Sequence, residues 1–495
     1  MWLKNKLKSY LDIQPSTGIA AAVREPYDHD GAAIRNRIWM RGEPYELEQF
    51  FRQSPDTYEA SFWASVPTFR IRKIHSGIPS LMVRTLTKIT TRDLNDIEIN
   101  DKERAEKWEE IQKDNNFSTL LDSAVAGALA IGDGAFKISI DGDISSLPII
   151  EFYDGDKVDF IYKRGRLVEI IFKTQLQGKT AGDVFTLYEH YGKGYINYEL
   201  KRFGEDSPLD VSFLEQTKDL KPVEFGGGYI MAVPFIINPS VKYKGRGDSI
   251  FEGKSSAFDA LDEILSQWAD AVRAGRVKTY IPSTMVPRDP STGAIQKPNP
   301  FDDRFIVTSA DMAEGSKNVI TSEQAEIRSE QYNQAYITYL DLALQGVVSP
   351  STLGIDTKKL DNAEAQREKE KTTLYTRNKI IEALSDVIGK LVNVALKTLD
   401  QMNGQAPGED VAVSCDFGEY ANPSFEAVVE TVGKAMNAGI MSYEMAVDEL
   451  YGDTLTEEEK AEEVARLYRI SGTMTAEEPS VGAFDSERYY ISAND

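Results

Sequence analysis

Cysteine and histidine are almost absent from this sequence of 495 residues, which has one of the first and three of the second. With Cys415 alone, an intramolecular disulfide and a cysteine-rich zinc site are both excluded, and nothing speaks for an oxidising compartment. His29, His75 and His190 lie far apart, with no Cys or carboxylate at ligand spacing, so metal catalysis is not expected. Long apolar runs are also missing. The longest, Ile230–Ile237, is interrupted by Pro234 and falls far short of the roughly 18 residues that cross a bilayer, so no membrane partner is expected. Positive charge is in deficit, 56 Lys and Arg against 79 Asp and Glu, a net charge of −23. That balance argues against a protein that grips nucleic acid tightly, though not against one that lets a polyanion pass.

What is present is ordinary globular material, 41% hydrophobic and 27% charged, with length for about three structural units. The N-terminal stretch has lysines at 4, 6 and 8 but no apolar core behind them. It reads as a short amphipathic helix packed by Trp2, Leu3, Leu7 and Leu11 rather than as a secretory signal. Helices are expected at Glu43–Arg52 and Pro79–Ile89. One long helix is expected from about Asp101 to Ala130, ending at Ile131-Gly132-Asp133-Gly134. From Ala135 the period changes to two. Alternating segments separated by turns such as Lys163-Arg164-Gly165-Arg166 predict an antiparallel meander continuing to a strand at Met231–Asn238.

The segment from Ser255 to Gln345 is the most informative. Ser255 can cap a helix in which Phe258, Leu261, Ile264, Leu265, Trp268 and Val272 keep the helical period, with Gly275 at its end. A Pro- and Gly-rich insertion with β character follows. A second helix is then expected over Glu323–Gln345, with Tyr332, Tyr336, Tyr339 and Leu340 on one side. Two matched helices around an insertion form an antiparallel hairpin that carries a small domain at its far end. Beyond Gly346 come a loop, a helix over Ala363–Met402, a strand within VAVSCDF, and helices over Ser424–Asn437, Ser442–Tyr451 and Thr456–Ile470. Thr456 with Glu459 is a capping-box pattern, Ser442 with Met445 half of one, and the acidic tail from Ser471 reads as a mobile extension.

The short motifs have bland readings. Gly253-Lys254-Ser255-Ser256 precedes a helix, but five residues separate Gly247 from Gly253 where a phosphate loop needs four, so a helix start explains it. Arg246-Gly247-Asp248 reads as a chance tripeptide. Asp28–Asp30 and Asp141–Asp143 read as acidic turns, lacking the remainder of a calcium loop. No nucleophile context or cofactor motif is found, so no enzyme activity and no cofactor are expected. Arg273, Arg276 and Lys278 cluster at the end of the first rod, and Lys358 and Lys359 lie in the loop before the long helix. On a monomer they are solvated charges. Repeated around a symmetric ring they would become bands of positive charge in an acidic channel.

The order ALAIGDGAFKISID, IIEFYDGDKVDFIY, then GRGDSIFEGKSSAFDALDEILSQWADAVRAGRVKTYIP before a Pro-rich insertion, resembles the portal (head-to-tail connector) proteins of tailed bacteriophages. LQGVVSPSTLGID and MNAGIMSYEMAVDELYGDTLTEEEKAEE resemble that family's loop and C-terminal region. The resemblance runs over most of the chain and lies in the order of segments. It implies an α+β portal fold, mainly helical. The implied parts are an N-terminal wing over 1–254, a first stem helix over 255–275, a small α/β clip over 276–322 and a second stem helix over 323–345. A tunnel loop over 346–362, a wing helix and strand over 363–421, a helical crown over 422–470 and an acidic tail over 471–495 complete it.

The resemblance further implies a homo-oligomeric ring, a dodecamer, at one capsid vertex of the virion, assembled in the host cytoplasm. Double-stranded DNA would pass through it without sequence specificity, with Lys358, Lys359, Arg273, Arg276 and Lys278 as channel candidates. Implied protein partners are the terminase large subunit, head-completion or adaptor proteins, and the major capsid and scaffolding proteins. The alternatives are another virion structural or adaptor protein without a DNA channel, a nucleic-acid enzyme, and a cellular scaffold.

Overall fold

The computed structural model describes residues 27–53, 61–67, 71–178, 180, 182–205, 207–286, 288–294, 305–309, 319–355, 363–418, 425–451 and 456–470. The expected N-terminal helix around Trp2–Leu11, the tail from Ser471, and Lys358 and Lys359 lie outside these residues. The chain divides into two compact units, Met1–Gly418 and Glu419–Asp495.

The first unit opens with helices α1 (His29–Arg41), α2 (Pro44–Gln53), α3 (Phe62–Ser65) and α4 (Ile78–Thr91). Asp28, within the first acidic tripeptide, caps α1 by accepting from Gly31 N at 2.8 Å, so the acidic-turn reading of that motif holds. Strand β1 (Leu94–Ile99) precedes α5 (Lys102–Asp114) and α6 (Phe117–Ile131). The single long helix expected over 101–130 is therefore two. Asn116 takes the left-handed conformation at φ 47°, and the Asn115 side chain donates to Pro148 O at 2.9 Å and accepts from Ile150 N at 2.7 Å. A side chain that bonds another segment's backbone offers the chain an alternative to continuing the helix.

The predicted meander is divided between two sheets. Strands β2 (Asp133–Ser139) and β3 (Ile149–Asp154) pair in a three-stranded sheet. Strands β4 (Val158–Lys163), β5 (Arg166–Gln177), β6 (Val184–Gly192) and β7 (Tyr195–Arg202) form a true antiparallel meander. The two-residue strands β8 (Pro208–Leu209) and β9 (Val223–Glu224) both pair with β7. Strand β10 (Ala232–Ile236) does not extend the meander but returns to β2, giving the order β10-β2-β3. Pro234 thereby sits on an edge strand, where its missing N–H costs no central ladder bond.

The change of sheet is fixed at one point. Asp133, fully buried, accepts a two-pronged bond from Arg246 (2.9 Å from Nε, 2.8 Å from Nη2), and Arg246 also donates to Gly155 O and Val158 O at 2.5 and 2.6 Å. This fork holds the bend between β3 and β4, so the Arg-Gly-Asp tripeptide is architecture. Gly132 (φ 124°) and Gly247 touch backbone to backbone there, leaving no room for a Cβ on Gly132.

Helix α7 (Ser255–Ala274) leads to β11 (Lys278–Pro282), β12 (Phe305–Thr308) and β13 (Thr321–Glu323), a sheet in the order β12-β11-β13 with β11/β12 parallel and β11/β13 antiparallel. Helix α8 (Ser329–Leu344) returns. Residues 321–328 are not helical, because 321–323 pair with Lys278–Tyr280, so the second rod is 16 residues against 20. At 1.5 Å per residue that is roughly 24 Å against 30 Å. The insertion, expected as α/β, carries strands and no helix among its described residues.

Helix α9 (Ala363–Met402) runs through the core, burying Ile380, Leu384, Ile388, Leu391, Val392 and Ala395. Strand β14 (Val413–Phe417), the strand expected in VAVSCDF, pairs with β1, a strand the sequence pattern did not announce. Arg377 on α9 donates to Ile89 O, Asp93 and Gly418 O, the last at 2.5 Å, while Gly418 N donates to Asp93 O at 2.7 Å. The second unit contains α10 (Phe425–Asn437), α11 (Tyr443–Tyr451) and α12 (Glu457–Ile470). Its capping box is as expected, with Thr456 N donating to Glu459 at 2.9 Å and Glu459 N to Thr456 Oγ1 at 3.4 Å.

Candidate functional site

The helix pair α7/α8 and its distal sheet hold three of the five candidate cations. The inner part of α7 is buried through Ala257, Phe258 and Leu261, which seats it in the main core. Two carboxylates one turn apart make its attachment directional. Asp262, 0% exposed, accepts from Trp63 Nε1 at 3.1 Å and Ser76 N at 2.8 Å, and its Oδ2 lies 2.7 Å from His75 Nδ1. Asp259 accepts from Phe62 N at 2.8 Å and Trp63 N at 3.3 Å, the first free N–H groups of α3. Burial pushes the Asp259 carboxyl up to about 6, and the two backbone bonds only partly oppose it. Ser266 adds a bond from Ile74 N at 2.9 Å.

The two rods are joined at three levels. At the base, Lys254 Nζ donates to Leu342 O at 3.0 Å and Gln345 O at 2.7 Å, so it satisfies carbonyls at the end of α8. This is the lysine of the Gly-Lys-Ser-Ser stretch, and its duty is to a helix C-terminus. The expected capping role of Ser255 is not found. Lys254 occupies the N-cap without a side-chain bond, and Ser255 Oγ is buried with no hydrogen-bond partner among the described residues. Further along, the Trp268 and Tyr332 rings stack at 6.2 Å and 7°. At the far end a Cβ on Gly275 would stand 2.7 Å from Ile327 Cγ1, so glycine lets the two chains close.

Arg273, Arg276 and Lys278 are all exposed at this far end. Arg273 leans on Asp270 at 3.3 Å, whereas Arg276 and Lys278 have no ion-pair partner among the described residues. Arg328 joins them. It is exposed at the N-cap of α8, adjacent to the Ile327 that meets Gly275. The sequence reading missed Arg328 because it placed this residue inside a helix starting at Glu323. The signal available was the β-rich Asn-Val-Ile-Thr segment just before it, which continues as a strand.

Lys358 and Lys359 fall within residues 356–362, outside the described ones. The stretch before them is well held. Ser349 N donates to Thr373 Oγ1 at 2.9 Å, Thr376 Oγ1 donates to Val347 O at 2.6 Å, and Thr352 bonds Thr373 at 2.9 Å. Among the described residues there is no group of three or more His, Cys, Asp or Glu that could hold a metal ion, and no helix long and apolar enough to cross a membrane.

A pair of rods is thus seated in a mixed helical and antiparallel framework and tipped by a small sheet and a basic cluster. The chain belongs to the phage portal protein family, SPP1 Gp6-like, whose model matches residues 57–466. Its role is accordingly that of a portal or connector. No curated protein matches it. Among solved structures it is similar to a chain in the virion of a native gene transfer agent particle, at 12% identity and TM-score 0.41, covering 90% of this chain and 96% of that one. It is similar also to a chain in the neck of the empty particle computed with C6 symmetry, at 12% identity and TM-score 0.41, covering 79% and 91%. A third, in the neck of the native particle computed with C12 symmetry, has 11% identity and TM-score 0.35 and covers 79% and 90%.

Proposed function

We propose that the chain assembles as a closed ring of twelve copies at one capsid vertex of a virion, around a channel through which double-stranded DNA is packaged, retained and released. The observation that carries the reading is the α7/α8 rod pair, anchored at its base and bearing exposed Arg273, Arg276, Lys278 and Arg328 at its far end. The rods are the stem, the sheet β11–β13 is the clip facing the terminase large subunit and head-completion or adaptor proteins, and residues 346–362 are the tunnel loop. The helices α10, α11 and α12 of the second unit form the crown, and the remainder of the first unit the wing, against capsid and scaffolding proteins. Twelve copies at −23 carry about −276 charges, so the duplex meets a mainly repulsive surface relieved by bands of Arg and Lys. A polyanion can slide on such a wall without sticking, and no base readout is wanted. Chemical energy comes from a separate ATPase.

Mass photometry and negative-stain microscopy of the purified chain test the ring, with twelve copies of 55.3 kDa giving particles of roughly 660 kDa with a central hole. A stable closed dimer overturns it. For the tunnel loop, Lys358→Ala with Lys359→Ala is expected to lower packaged DNA, and unchanged packaging and retention removes those lysines from the mechanism.

A further inference from the structure

A second basic patch lies away from the rods, where two loops distant in sequence meet. The β4/β5 hairpin closes through Arg164 (φ 52°) and Gly165 (φ 76°), a two-residue turn with both residues left-handed. That geometry favours Asn-Gly or Asp-Gly, so an arginine at the first position is locally unfavourable. Lys163 and Arg166 face each other across the ladder, placing like charges directly opposite. Three cations thus crowd one exposed tip in a chain where acidic residues outnumber basic ones.

The loop 240–246 adds a fourth. A Cβ on Gly245 would stand 2.9 Å from the Tyr162 ring, so exposed Lys244 and Lys163 are each one residue from that contact. Tyr162 is 38% exposed and Val241, in the same loop, 97%. Nearby carboxylates are already engaged, Asp159 by Lys173, Glu169 by His190 and Glu252 by Lys242. Lys163, Arg164, Arg166 and Lys244 have no ion-pair partner among the described residues.

We infer that this patch is a contact site for the phosphate backbone of double-stranded DNA, separate from the stem cluster. An exposed tip with two lysines and two arginines, flanked by Tyr162 and Val241, matches nucleic-acid interfaces in its charge. Protein–protein interfaces are depleted in lysine at their centres. The proposed function supplies only the identity of the polyanion.

The test uses the full chain and a duplex of mixed sequence, with affinity measured by fluorescence anisotropy from 50 to 200 mM salt. The variant K163T/R164N/R166T puts a Thr–Thr cross-strand pair beside an Asn-Gly turn, so it is expected to melt at or above the wild-type temperature. We expect at least about a tenfold loss of affinity at the higher salt and a log–log salt slope shallower by about 2.7, for three lost phosphate contacts. Unchanged affinity and slope overturn the inference, as does a wild-type chain that does not bind duplex at 50 mM salt. A variant that binds DNA normally but assembles differently also overturns it, in favour of a contact between copies. R273A/R276A/K278A is measured in parallel, so failure of the stem reading and failure of the tip are separately visible.

Discussion

Replacing Asp259 by asparagine removes a charge that the first rod holds against its preference. The wild-type carboxyl is pushed up to about 6 by burial, with Asp262 and Glu263 adding like charge after the two backbone bonds. Its folded value exceeds its unfolded one near 3.8, so the proton is bound more tightly in the folded chain. Stability from this group is therefore greatest in acid and is lost as pH rises through the window from about 4 to 6. In full the shift of roughly two units is about 3 kcal/mol, of which about 2 kcal/mol falls between pH 4.5 and 7.5. Phe62 N and Trp63 N bond different carboxylate oxygens, so asparagine, with one acceptor oxygen, keeps only one of the two bonds, a loss that does not vary with pH, and it does not titrate. Urea unfolding of both proteins across that range should show the difference between variant and wild type moving in the variant's favour by about 2 kcal/mol as pH rises. Contributions of groups that do not interact with Asp259 cancel in the difference. A difference that is flat with pH would refute the claim that Asp259 is held ionised in a poorly solvated seat.

Other expectations follow from the same anchoring. Asp262→Ala leaves the Trp63 indole, Ser76 N and His75 without their acceptor and should cost about 3–5 kcal/mol, read by urea unfolding. Lys254→Met should cost only about 1 kcal/mol, because the amine is partly solvated, but it should speed amide exchange over the residues after Leu342. The Cys415 thiol, pushed up to about 11 by burial, should resist a disulfide reagent at pH 8 in the folded chain and react fully once unfolded. Fast labelling of the native protein would contradict that.

The rods and the long helix were legible because a single apolar stripe reports a helix that packs on one side, as Phe258, Leu261 and Trp268 do. Pairings were not legible where partners are remote. Leu94–Ile99 has only three apolar residues, and its partner Val413–Phe417 lies more than three hundred positions on. Glu323–Arg328 passed for helix because these residues favour one, yet the strand Thr321–Glu323, bonded to Lys278–Tyr280, carries the extended chain past the expected start and the helix begins only at Ser329. The break at Asn115–Asn116 depended on where Pro148 and Ile150 would come to lie. For the site, the sequence placed Arg273, Arg276 and Lys278 at the end of the first rod by contiguity. Arg328 needed the true helix start.

Gly418, the last residue of the first unit, has both backbone groups taken, its carbonyl by Arg377 and its amide by Asp93. Arg377 is rooted in the middle of the core helix and also grips the end of α4 through Ile89. A pull on the chain from residue 419 onward is therefore shared between a side-chain rivet set into the core and the end of the β1/β14 ladder, where Gly418 N meets Asp93 O. The same rivet acts as a firebreak. Fraying that reaches Gly418 from the C-terminal side must break the bonds to Arg377 and Asp93 before it enters β14.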